Sequence, residues 1–554
     1  MSTVPTSLFG ALSSSRQGLF TNRKALSIAG QNIANVNTPG YSRQRANITS
    51  IHLLGGSNVT DIQRIRDLYL DQQRAISVGT LGFQESRDKA LTQLEAIFDE
   101  TLAPGPISLL DNFFASLQDL TLAPAGAPER EGVRATATSL INHIHNMRQR
   151  LGDLRAYQDN TLKTDLGAVN QIAAQIANLN GQIATASAAG LSVNELQDQR
   201  QEAVRQLAEL TQIQAFNTSQ GAFTLTVANG ITLVEGTHYS ELVSIINGDN
   251  DGLSNVGIRQ ANGNILDVTS RMTGGQIGGL LQARDVDIQA QIQNLDLFAA
   301  RMVTQFNIQH RQGWNLATPP VQGIDFFQPV NVYYREAAAN TGGARVTAAS
   351  AADQSALTFD DYEIRFGAGG ATYEIVNLTR GTTSGPLAYV SGTPIVFDGV
   401  SLTITDTAGA PADGDVFVVN TKTAAASAFS LSAALEADAG NIAASGDGVS
   451  GDNANALALT ALRNLGVFSN GTQTFNDFLT TNQTALGVTT QRSHHEAEAQ
   501  QLVVTQIDGF IESVSGVSID EESTLLIQYE RAFQACSRVI SIVDEMLNML
   551  LTVI

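Results

Sequence analysis

Apolar positions at both ends of the chain recur at alternating spacings of four and three residues, the heptad pattern of a coiled-coil seam. The first seam comprises Leu8, Leu12, Ser15, Leu19, Asn22, Leu26, Ala29, Ile33 and Val36. The second seam comprises Leu526, Tyr529, Phe533, Cys536, Ile540, Val543, Leu547, Leu550 and Ile554. Each seam runs for about four heptads, so we predict a long helix at each end and the pairing of both helices in an assembly subunit.

The charges of the two seams favour this pairing. Residues 1–60 contain five basic side chains and no acidic one, whereas residues 520–554 contain more acidic than basic side chains. Opposite charge favours pairing of the two helices over self-association, although each exposed ion pair contributes only a few tenths of a kcal/mol. The apolar stripe of the last helix is wider than one seam, which favours additional neighbours from other subunits. The alternative is a two-helix element packed into the core of its own chain.

Between the ends, the hydrophobic pattern is first helical. A helix over residues 6–37 should end before Pro39, and residues 38–41 fit a type II turn with proline second and glycine third. The alternation in residues 42–62 predicts an extended connector. Further helices are predicted over three segments that together indicate a bundle of long helices. These segments are 62–98, 133–183 with one slip of phase, and 194–210.

The pattern then alternates between strand and helix. In residues 216–246, Asn229-Gly230 separates two alternating runs, which is a strong signal for a β-hairpin. Helix returns over residues 276–311. Residues 314–422 have the alternating runs, glycine clusters and turn residues of an all-β domain. The next stretch, 423–450, is loosely specified, and a helical pattern resumes over 454–514.

This order predicts an α+β multidomain fold in a chain of 554 residues, which is too long for one hydrophobic core. A terminal coiled-coil domain with its connector would combine residues 1–60 with 515–554. A helical-bundle domain would combine 61–313 with 423–514 and include a β-hairpin region at 215–270. An outer β domain, 314–422, would be inserted into this bundle. Because both halves contribute to the ends and the bundle, we expect both chain termini at the same pole.

Composition limits the function. With 43% hydrophobic and 15% charged residues the chain is globular, and its net charge of −21 argues against sequence-independent nucleic-acid binding. No run of eighteen apolar residues occurs, so no membrane insertion is expected. Residues 1–7 lack the features of a signal peptide. The single cysteine, Cys536, should be a small buried hydrophobe, and it cannot form an internal disulfide.

Candidate chemical sites are weak. His143 and His145 lie two residues apart on a predicted helix and point to different faces. Residues 247–252 open like a calcium loop, but Ile258 stands where the bidentate glutamate is required, so we expect a hairpin turn or loop. Residues 274–279 match no phosphate-binding motif and are interpreted as a flexible entry to the next helix. We therefore expect no catalytic site, no metal site and no cofactor.

The segment from Ser27 to Gln44 resembles the N-terminal signature of the flagellar rod, hook and hook-associated proteins. In that signature an Asn-x-x-Asn helix end, here Asn32 and Asn35, precedes a turn like that of residues 38–41. Residues 40–44 are most similar to the hook-associated branch. The C-terminal block is similar to the end of the same family. Further similar segments are 196–200, 278–281, 323–327 and 361–364, so the resemblance covers essentially the whole chain.

The resemblance implies a bacterial, extracellular structural protein without enzymatic activity, exported by the flagellar type III apparatus without a cleavable signal peptide. It implies a ring of about eleven copies between hook and filament, with the terminal helices around the export channel and the β domain facing outward. The implied partners are other copies of the chain, the hook protein, the next hook-associated protein, and an export chaperone bound to the C-terminal helix.

The same resemblance assigns assembly roles to residues at both ends. On the N-terminal side these are Leu8, Leu12, Leu19, Leu26, Ile33, Asn35, Thr38, Pro39, Gly40 and Tyr41. On the C-terminal side, the nine seam positions from Leu526 to Ile554 would serve assembly or chaperone binding.

Alternatives from the same and from other classes remain. A hook or distal-rod subunit shares the N-terminal turn, but residues 40–44, the chain length and the long helical zone disfavour it. Flagellin does not carry this type of turn. An extracellular enzyme or adhesin that acts through the β domain would rely on acids such as Asp325, Asp360 and Asp361, which lack a paired acid/base context.

Overall fold

The computed structural model describes residues 8–38, 40–51, 56–99, 104–217, 222–260 and 262–553. In chain order the helices are α1 (Leu8–Ala34), α2 (Leu68–Glu95), α3 (Pro106–Leu122), α4 (Ala127–Ala188), α5 (Asn194–Leu210), α6 (Gly275–Gln282), α7 (Ile288–His310), α8 (Ala425–Ala428), α9 (Ala433–Ala437), α10 (Ala454–Ala461), α11 (Phe475–Ser515) and α12 (Ile519–Val553). A π-helical turn, Ala283–Asp287, joins α6 to α7.

The strands form five antiparallel sheets within the described residues. The strands are β1 (Gln44–Ser50), β2 (Ser57–Arg64), β3 (Ile213–Asn217), β4 (Phe223–Val227), β5 (Ile231–Glu235), β6 (His238–Tyr239), β7 (Glu241–Ile246), β8 (Ser254–Arg259), β9 (Ile265–Asp267), β10 (Tyr333–Glu336), β11 (Arg345–Ala351), β12 (Tyr362–Gly367), β13 (Thr372–Asn377), β14 (Thr382–Ala388), β15 (Pro394–Phe397), β16 (Val400–Thr405) and β17 (Val416–Asn420).

Helix α4 runs through most of the length of the body, the name we give to the elements from α2 to α11. It is 62 residues long, which confirms the prediction of a long helix with a sustained heptad rhythm. Its buried residues from Val133 to Leu151 belong to one apolar core, and those from Leu162 to Ala177 belong to a second. At the predicted slip of phase, between these two stretches, the helix buries polar residues. The slip therefore separates two cores along one helix.

The polar layer between the cores contains paired charges. Arg284, from the π-helical turn, donates to Asp159 Oδ1 at 2.6 Å and to the carbonyl oxygen of Ser254 at 2.8 Å. Asp159 also accepts from the backbone N–H of Ser254 at 2.8 Å. Because a buried charge is costly unless it is paired and hydrogen-bonded, this layer fixes how α4 meets the β7–β8 loop.

The first core runs from the helices into the inserted β region. On the helical side, Phe113 and Phe306 lie with ring centroids 5.2 Å apart. The same core includes Ile364, Leu402 and Phe417 of the β strands. These strands form a five-stranded sheet in the order β10-β17-β12-β13-β14 and a three-stranded sheet in the order β11-β16-β15. The β region thus packs on the helical bundle through shared apolar contacts. The boundaries of the three predicted domains stay predictions.

The second core lies under two small sheets, β3-β4-β5-β6 and β7-β8-β9. The predicted hairpin at Asn229-Gly230 is confirmed, because β4 pairs with β5 across it. Asn229 has φ 58 and Gly230 has φ 107, the left-handed backbone that these residue types tolerate best.

Three segments differ from the predictions. The expected connector over 42–62 is a β-hairpin in which β1 and β2 pair from Gln44–Arg64 onward. Helix α3 was missed, although Leu110, Phe113 and Leu117 are buried at helical spacing. The predicted helix over 454–514 is interrupted after α10, and α11 begins at a capping box between Thr474 and Asp477. The hairpin strands are short and the last segment is interrupted, so their periodic signals are weak, whereas the 17 residues of α3 have the spacing of a helix.

The loosely specified stretch over 423–450 is more ordered than expected. It contains α8 and α9 and buries Phe429 and Leu435 completely in the first core. Short alanine-rich segments carry little periodicity, so the sequence pattern does not reveal this packing.

The loop expected over 247–252 is the connection between β7 and β8. Asn247 accepts from the backbone N–H of Asp249 at 2.9 Å, which closes the turn. Asp249 pairs with Arg335, and Asp251 pairs with Arg155. The acidic side chains are therefore neutralised by arginines, and in the described part of the chain no group of three or more His, Cys, Asp or Glu could hold a metal ion.

Residues 274–279 form the expected entry to a helix, α6, but they are tightly packed rather than flexible. Gly275 has φ 69, and a Cβ atom there would overlap the backbone of Thr211 at the end of α5. A Cβ atom on Gly279 would overlap the carbonyl oxygen of Phe83 in α2. These glycines allow α2, α5 and α6 to approach each other closely, so the segment is a packing contact.

Candidate assembly site at the paired chain ends

The two chain ends form one antiparallel helix pair. A Cβ atom on Gly18 of α1 would lie 2.9 Å from Sγ of Cys536 in α12. Asn32 of α1 donates to Glu522 of α12 at 3.0 Å. The two contacts are 14 residues apart on both helices, so the register stays constant along this stretch. Both chain ends therefore lie on one element, which we call the terminal pair (α1 and α12).

The predicted seam residues of α12 lie on its protected side. The half-buried positions are Leu526, Tyr529, Phe533, Cys536, Ile540 and Leu547. Val543 is buried, with 4% of its surface exposed. Cys536 is half-buried, less enclosed than the sequence suggested, and contacts Gly18. The side chain of Leu550 and the whole of Ile554 lie outside the described residues.

The predicted seam residues of α1 are also protected, but they are not its most buried ones. The half-buried positions are Leu8, Leu12, Ser15, Leu19, Asn22, Leu26, Ile33 and Val36. Ala29 is buried together with a neighbouring stripe of Thr21, Ala25, Ile28 and Asn32. The β1–β2 hairpin packs on this neighbouring stripe, where Thr21 donates to the carbonyl oxygen of Ser57 at 2.7 Å.

The predicted charge attraction occurs at one end of the terminal pair, where a residue outside α1 forms the ion pairs with α12. Among the described residues, no ion pair joins a side chain of α1 to one of α12. The pairs that reach α12 come from Arg43, just before β1. Its Nε lies 2.7 Å from Glu522 and its Nη1 lies 2.8 Å from Glu521. Among the described residues the basic side chains of α1 form no ion pair, and Arg23 stacks on the ring of Phe20, 5.6 Å from its centroid.

Asn32 is the centre of a hydrogen-bond network at this end of the pair. Its Nδ2 donates to Glu522 Oε2 at 3.0 Å and to the carbonyl oxygen of Gln44 at 2.8 Å. Its Oδ1 accepts from the Tyr41 hydroxyl at 2.8 Å and from the backbone N–H of Gln44 at 3.0 Å. Asn32 is completely buried, and the side-chain amide uses its full capacity of two donors and two acceptor sites.

Tyr41 contributes a protonated hydroxyl to this network. Burial raises the pKa of Tyr41 to about 12, and the negative charges of Asp198 and Glu522 add to the shift. The hydroxyl therefore stays protonated at neutral pH and donates to Asn32. The carboxylate of Glu522, whose side chain is 2% exposed, is matched by Arg43 and Asn32. A fully satisfied buried network of this kind favours one geometry.

The predicted turn has the expected form. The backbone N–H of Tyr41 donates to the carbonyl oxygen of Thr38 at 3.2 Å, and Gly40 has φ 78, as the third position of a type II turn requires. Thr38 also donates its hydroxyl to Asn35 at 3.1 Å. Pro39 lies outside the described residues.

A polar joint connects the terminal pair to the body. Asp198 of α5 accepts from the Ser42 hydroxyl at 2.8 Å and from Arg64 at 2.7 Å. Asn194 of α5 donates to the Gln44 side chain at 3.1 Å. Among the described residues, neither apolar core includes any residue of α1, β1, β2 or α12. The pair is thus attached by hydrogen bonds and ion pairs, without a shared apolar core.

A cleft of about 490 Å³ opens beside this joint. On one side it is lined by the turn, including Asn37 and Gly40, and on the other by α2, α5 and the end of α11. The body side carries Arg74 and Arg205, which pair with Asp508 and Glu202, respectively. The cleft leaves space between the pair and the body next to the attachment.

The family resemblance assigned no assembly role to four residues of this site: Asn32, Arg43, Asp198 and Glu522. Asn32 is the first asparagine of the Asn-x-x-Asn signature, and Asp198 lies in the similar segment 196–200. Glu522 lies four residues before Leu526 and so extends the second seam. The sequence contains these signals, but the role of a charged residue at a seam position becomes clear only when its hydrogen-bond partners are known.

The outer side of α12 is apolar and exposed. Its large exposed hydrophobic residues include Ile527, Val539, Ile542, Met546, Met549 and Leu551. Within the described residues, the segment Phe475–Met549 contains an 18-residue window with mean hydropathy 1.2, of which 11% is buried. By length and composition alone such a helix could cross a membrane. A helix that other subunits cover in an assembly can have the same length and composition. The expected absence of membrane insertion therefore stays a prediction.

Family models match four parts of the chain. Residues 91–327 match the flagellar hook-associated protein FlgK helical domain, and residues 335–421 match the D2-like domain of flagellar hook-associated protein 1. The ends match rod-protein models. Residues 12–41 match the flagella basal body rod protein, and residues 507–553 match the C-terminal part of the flagellar basal body rod FlgEFG proteins. The last two matches contain most of the terminal pair.

Curated relatives extend over nearly the whole chain. Flagellar hook-associated protein 1 of Escherichia coli (strain K12) is 26% identical and covers 98% of this chain and 99% of its own length. The protein of the same name from Bacillus subtilis (strain 168) is 24% identical, with 98% of both chains covered. A solved structure, the flagellar hook junction protein FlgK from Burkholderia pseudomallei, is 21% identical with a TM-score of 0.69. It covers 80% of this chain and 100% of that chain, and it confirms the α+β multidomain fold.

Proposed function

We infer that this chain, which belongs to the flagellar hook-associated protein 1 family, is a structural subunit of the bacterial flagellum at the junction between hook and filament. The observation that carries this function is the terminal pair. Its two helices protect one seam between them and leave a second apolar side of α12 exposed. An exposed apolar surface of this extent is typical of a protein–protein contact. The flagellum, an assembly exposed outside the cell, supplies the partners.

For the specific partners we propose a closed ring of about eleven copies, in contact with the hook protein on one side and with the next hook-associated protein on the other. The seam residues and the turn would form the inner layer of the ring. The network around Asn32 supports this, because it holds the two helices in one register and would present the same surface in every copy.

The polar joint suggests how one subunit adapts to two neighbours that pack differently. No apolar core is shared between the pair and the body, so none has to separate when the angle between them changes. The buried hydrogen bond between Ser42 and Asp198 would stay intact as a pivot. The cleft beside the joint gives room for a change of angle. We propose that the pair tilts about Asp198 and Ser42, so that the ring accommodates the mismatch between hook and filament.

Before assembly, the apolar side of α12 requires another cover. We propose that a flagellar export chaperone binds α12 and that the chain leaves the cell through the flagellar type III apparatus. The substitution of Ile540, Val543 and Leu547 by Asp should abolish chaperone binding in calorimetry. Unaltered binding would place the chaperone site elsewhere.

Removal of residues 520–554 tests the assembly role. No described residue of this segment belongs to either apolar core, so the truncated chain should fold as a monomer and fail to join hooks. Circular dichroism and light scattering check the fold and the mass. Electron microscopy of cells that express only the truncated chain checks assembly, and junctions formed by this chain would refute the role of the terminal pair.

The rod-protein models at both chain ends favour a second candidate, a hook or distal-rod subunit. Cells that lack this protein distinguish the two. A junction protein predicts complete hooks without filaments and secreted flagellin monomers, whereas a hook or rod subunit predicts missing hooks.

A further inference from the structure

We propose that the cleft beside the polar joint closes in a second state of the subunit, in which Val36, just before the turn, packs against Val204 and Ile511 of the body. The proposal rests on the proposed function and deepens it, because it gives the tilt of the terminal pair a direction and a defined end state. We call the present arrangement open and the second one closed.

The terminal pair is joined to the body by a narrow neck. The chain passes between them twice, at residues 65–67 and 516–518, and neither segment is helix or strand. The backbone of Arg43 connects the two crossings. Its N–H donates to the carbonyl oxygen of Ser515 at 3.1 Å, and its carbonyl oxygen accepts from the N–H of Ile65 at 2.8 Å. The crossings thus lie side by side, and among the described residues no apolar core spans them, which is the arrangement of a hinge.

Helix α5 is attached to the pair near its start and lines the cleft further on. Asp198 accepts from the Ser42 hydroxyl at 2.8 Å. About one turn later, a Cβ atom on Gly40 would lie 3.6 Å from Oε2 of Glu202. From there the cleft extends along α5 to Arg205. Because α5 is bound at one end and faces open space at the other, a rotation about Ser42 can close the cleft.

Apolar side chains face the cleft from both sides. The pair contributes Val36, and the body contributes Ala75, Val204 and Ile511. Val36 and Ile511 are half-buried, so each leaves part of its apolar surface in contact with water in the open state. Closing removes this surface from water, and the hydrophobic effect therefore favours the closed state.

The charges in the cleft do not oppose closing. On the body side, Arg74 pairs with Asp508 and Arg205 pairs with Glu202. On the pair side, the lining residues within 35–42 are all uncharged. Closing therefore meets no repulsion between like charges across the cleft, and the asparagine amides of the pair side can hydrogen-bond to the carboxylates of the body side.

A joint that closes onto a packed contact has two preferred angles instead of a continuous range, because packed contacts are either made or broken. Each copy in the proposed ring would adopt one of these angles. The ring can then match neighbours that pack differently while the register within each terminal pair stays the same.

The distance between two spin labels tests for the second state. In the full-length chain with Cys536→Ser, one label is attached at Ser27→Cys on α1 and the other at Gln501→Cys on α11. Both positions are exposed and lie outside the cleft. Pulsed electron paramagnetic resonance of the free chain should give two distances, one for each state. A single distance would overturn the proposal.

Matched substitutions in the labelled chain test the contact. Ile511→Ser removes an apolar side chain from the cleft, whereas Val503→Ser removes one from the same helix outside the cleft, where Val503 is 41% exposed. We expect the closed population to fall about tenfold with Ile511→Ser, the effect of removing one buried aliphatic side chain from an equilibrium, and to stay unchanged with Val503→Ser. Equal closed populations in the two variants would overturn the contact.

A disulfide tests the direction of closing. In the unlabelled full-length chain with Cys536→Ser, Val36→Cys and Ile511→Cys should form a link within one chain under mild oxidation. The combination of Val36→Cys with Val503→Cys is the control, since position 503 lies eight residues before 511, about 12 Å along the helix. No link in the first chain, or equal links in both chains, would overturn the proposed direction.

Failure of this proposal differs from failure of the proposed function. The label and disulfide experiments use the free chain, so they report on the joint whether or not junctions form. Two distances in a chain that is absent from junctions would refute the proposed function alone. A single distance in a chain that forms junctions would refute the closing joint alone.

Discussion

A Cβ atom placed on Gly18 would lie 2.9 Å from the Sγ atom of Cys536, across the antiparallel contact of the first and last helices. This distance corresponds to the separation between the Cβ atom of one cysteine and the sulfur of its disulfide partner. We expect Gly18→Cys to form a disulfide with the natural Cys536 under mild oxidation, detected as a change in gel mobility that a reductant reverses.

The control for this link lies further along α1, toward the body. No described atom lies within 4 Å of a Cβ placed on Gly30, so Gly30→Cys should remain unlinked under the same conditions. Equal formation of the disulfide with Cys536 in the Gly30→Cys and Gly18→Cys chains would contradict the register of the terminal pair.

Asn32→Ala should release the terminal pair at the end that faces the body. The substitution leaves the carboxylate of Glu522, the hydroxyl of Tyr41 and the backbone of Gln44 without their shared partner. An unsatisfied buried group costs about 1–3 kcal/mol, so we expect the pair to lose about 2 kcal/mol of stability. Hydrogen exchange of the amides in α1 measures this loss.

Asn35→Ala is the matched control, since Asn35 belongs to the same Asn-x-x-Asn signature. Among the described residues its side chain makes only local hydrogen bonds, with the carbonyl oxygen of Gln31 and the hydroxyl of Thr38. We expect an effect within about 0.5 kcal/mol. Equal effects of both substitutions would mean that the buried network does not hold the pair.

Stability should fall in acid because of His310, at the end of α7. His310 is completely buried; its Nδ1 donates to the carbonyl oxygen of Ile324 at 2.7 Å, and its Nε2 accepts from the backbone N–H of Ala443 at 2.8 Å. Burial lowers its pKa from 6.5 to about 4. The unfolded chain therefore binds the proton more readily, and stability is complete above pH 6.5 and decreases as the pH falls toward 4.

The size of this effect is at most about 3 kcal/mol, since one pKa unit corresponds to about 1.36 kcal/mol. Urea unfolding at about pH 7 and about pH 4.5 measures it in the natural chain and in His310→Gln. The variant should be less stable at neutral pH but should lose less on acidification. The same loss in both chains would exclude His310 as the cause.

Gly279→Ala should destabilise the body. A Cβ atom there would overlap the carbonyl oxygen of Phe83, so α2 and α6 must move apart, and overpacking of this kind costs about 1–3 kcal/mol. Gly132→Ala, in α4, meets no atom within 4 Å and should stabilise the helix by about 0.5–1 kcal/mol. Thermal unfolding of both variants separates close packing from helix propensity, and a stabilised Gly279→Ala would contradict the close contact.

The sequence predicts the long elements of this fold well. Sustained heptads reveal α1, α4 and α12, because burial along a whole helix repeats the same spacing many times. The strands at the sheet edges are short, and β14 is exposed along its whole length. An exposed edge strand has no apolar alternation to detect.

The candidate site was predictable in part. The heptads identified the seam positions of both helices, but the residues that hold them in register are polar. Asn32 and Glu522 are 490 residues apart, and neither shows its partner in the local pattern. The charge balance of the two ends suggested ion pairs along the seam, whereas Arg43 supplies them from outside α1.

The separation of the terminal pair from both apolar cores divides the stability of the chain into independent parts. Amides in α1 and α12 should exchange with solvent through openings that leave α4 and the β sheets intact. A protease added to the free chain should trim it from both ends and stop at the body. Neighbouring copies bind only the ordered pair, so assembly should suppress these openings and protect both ends together.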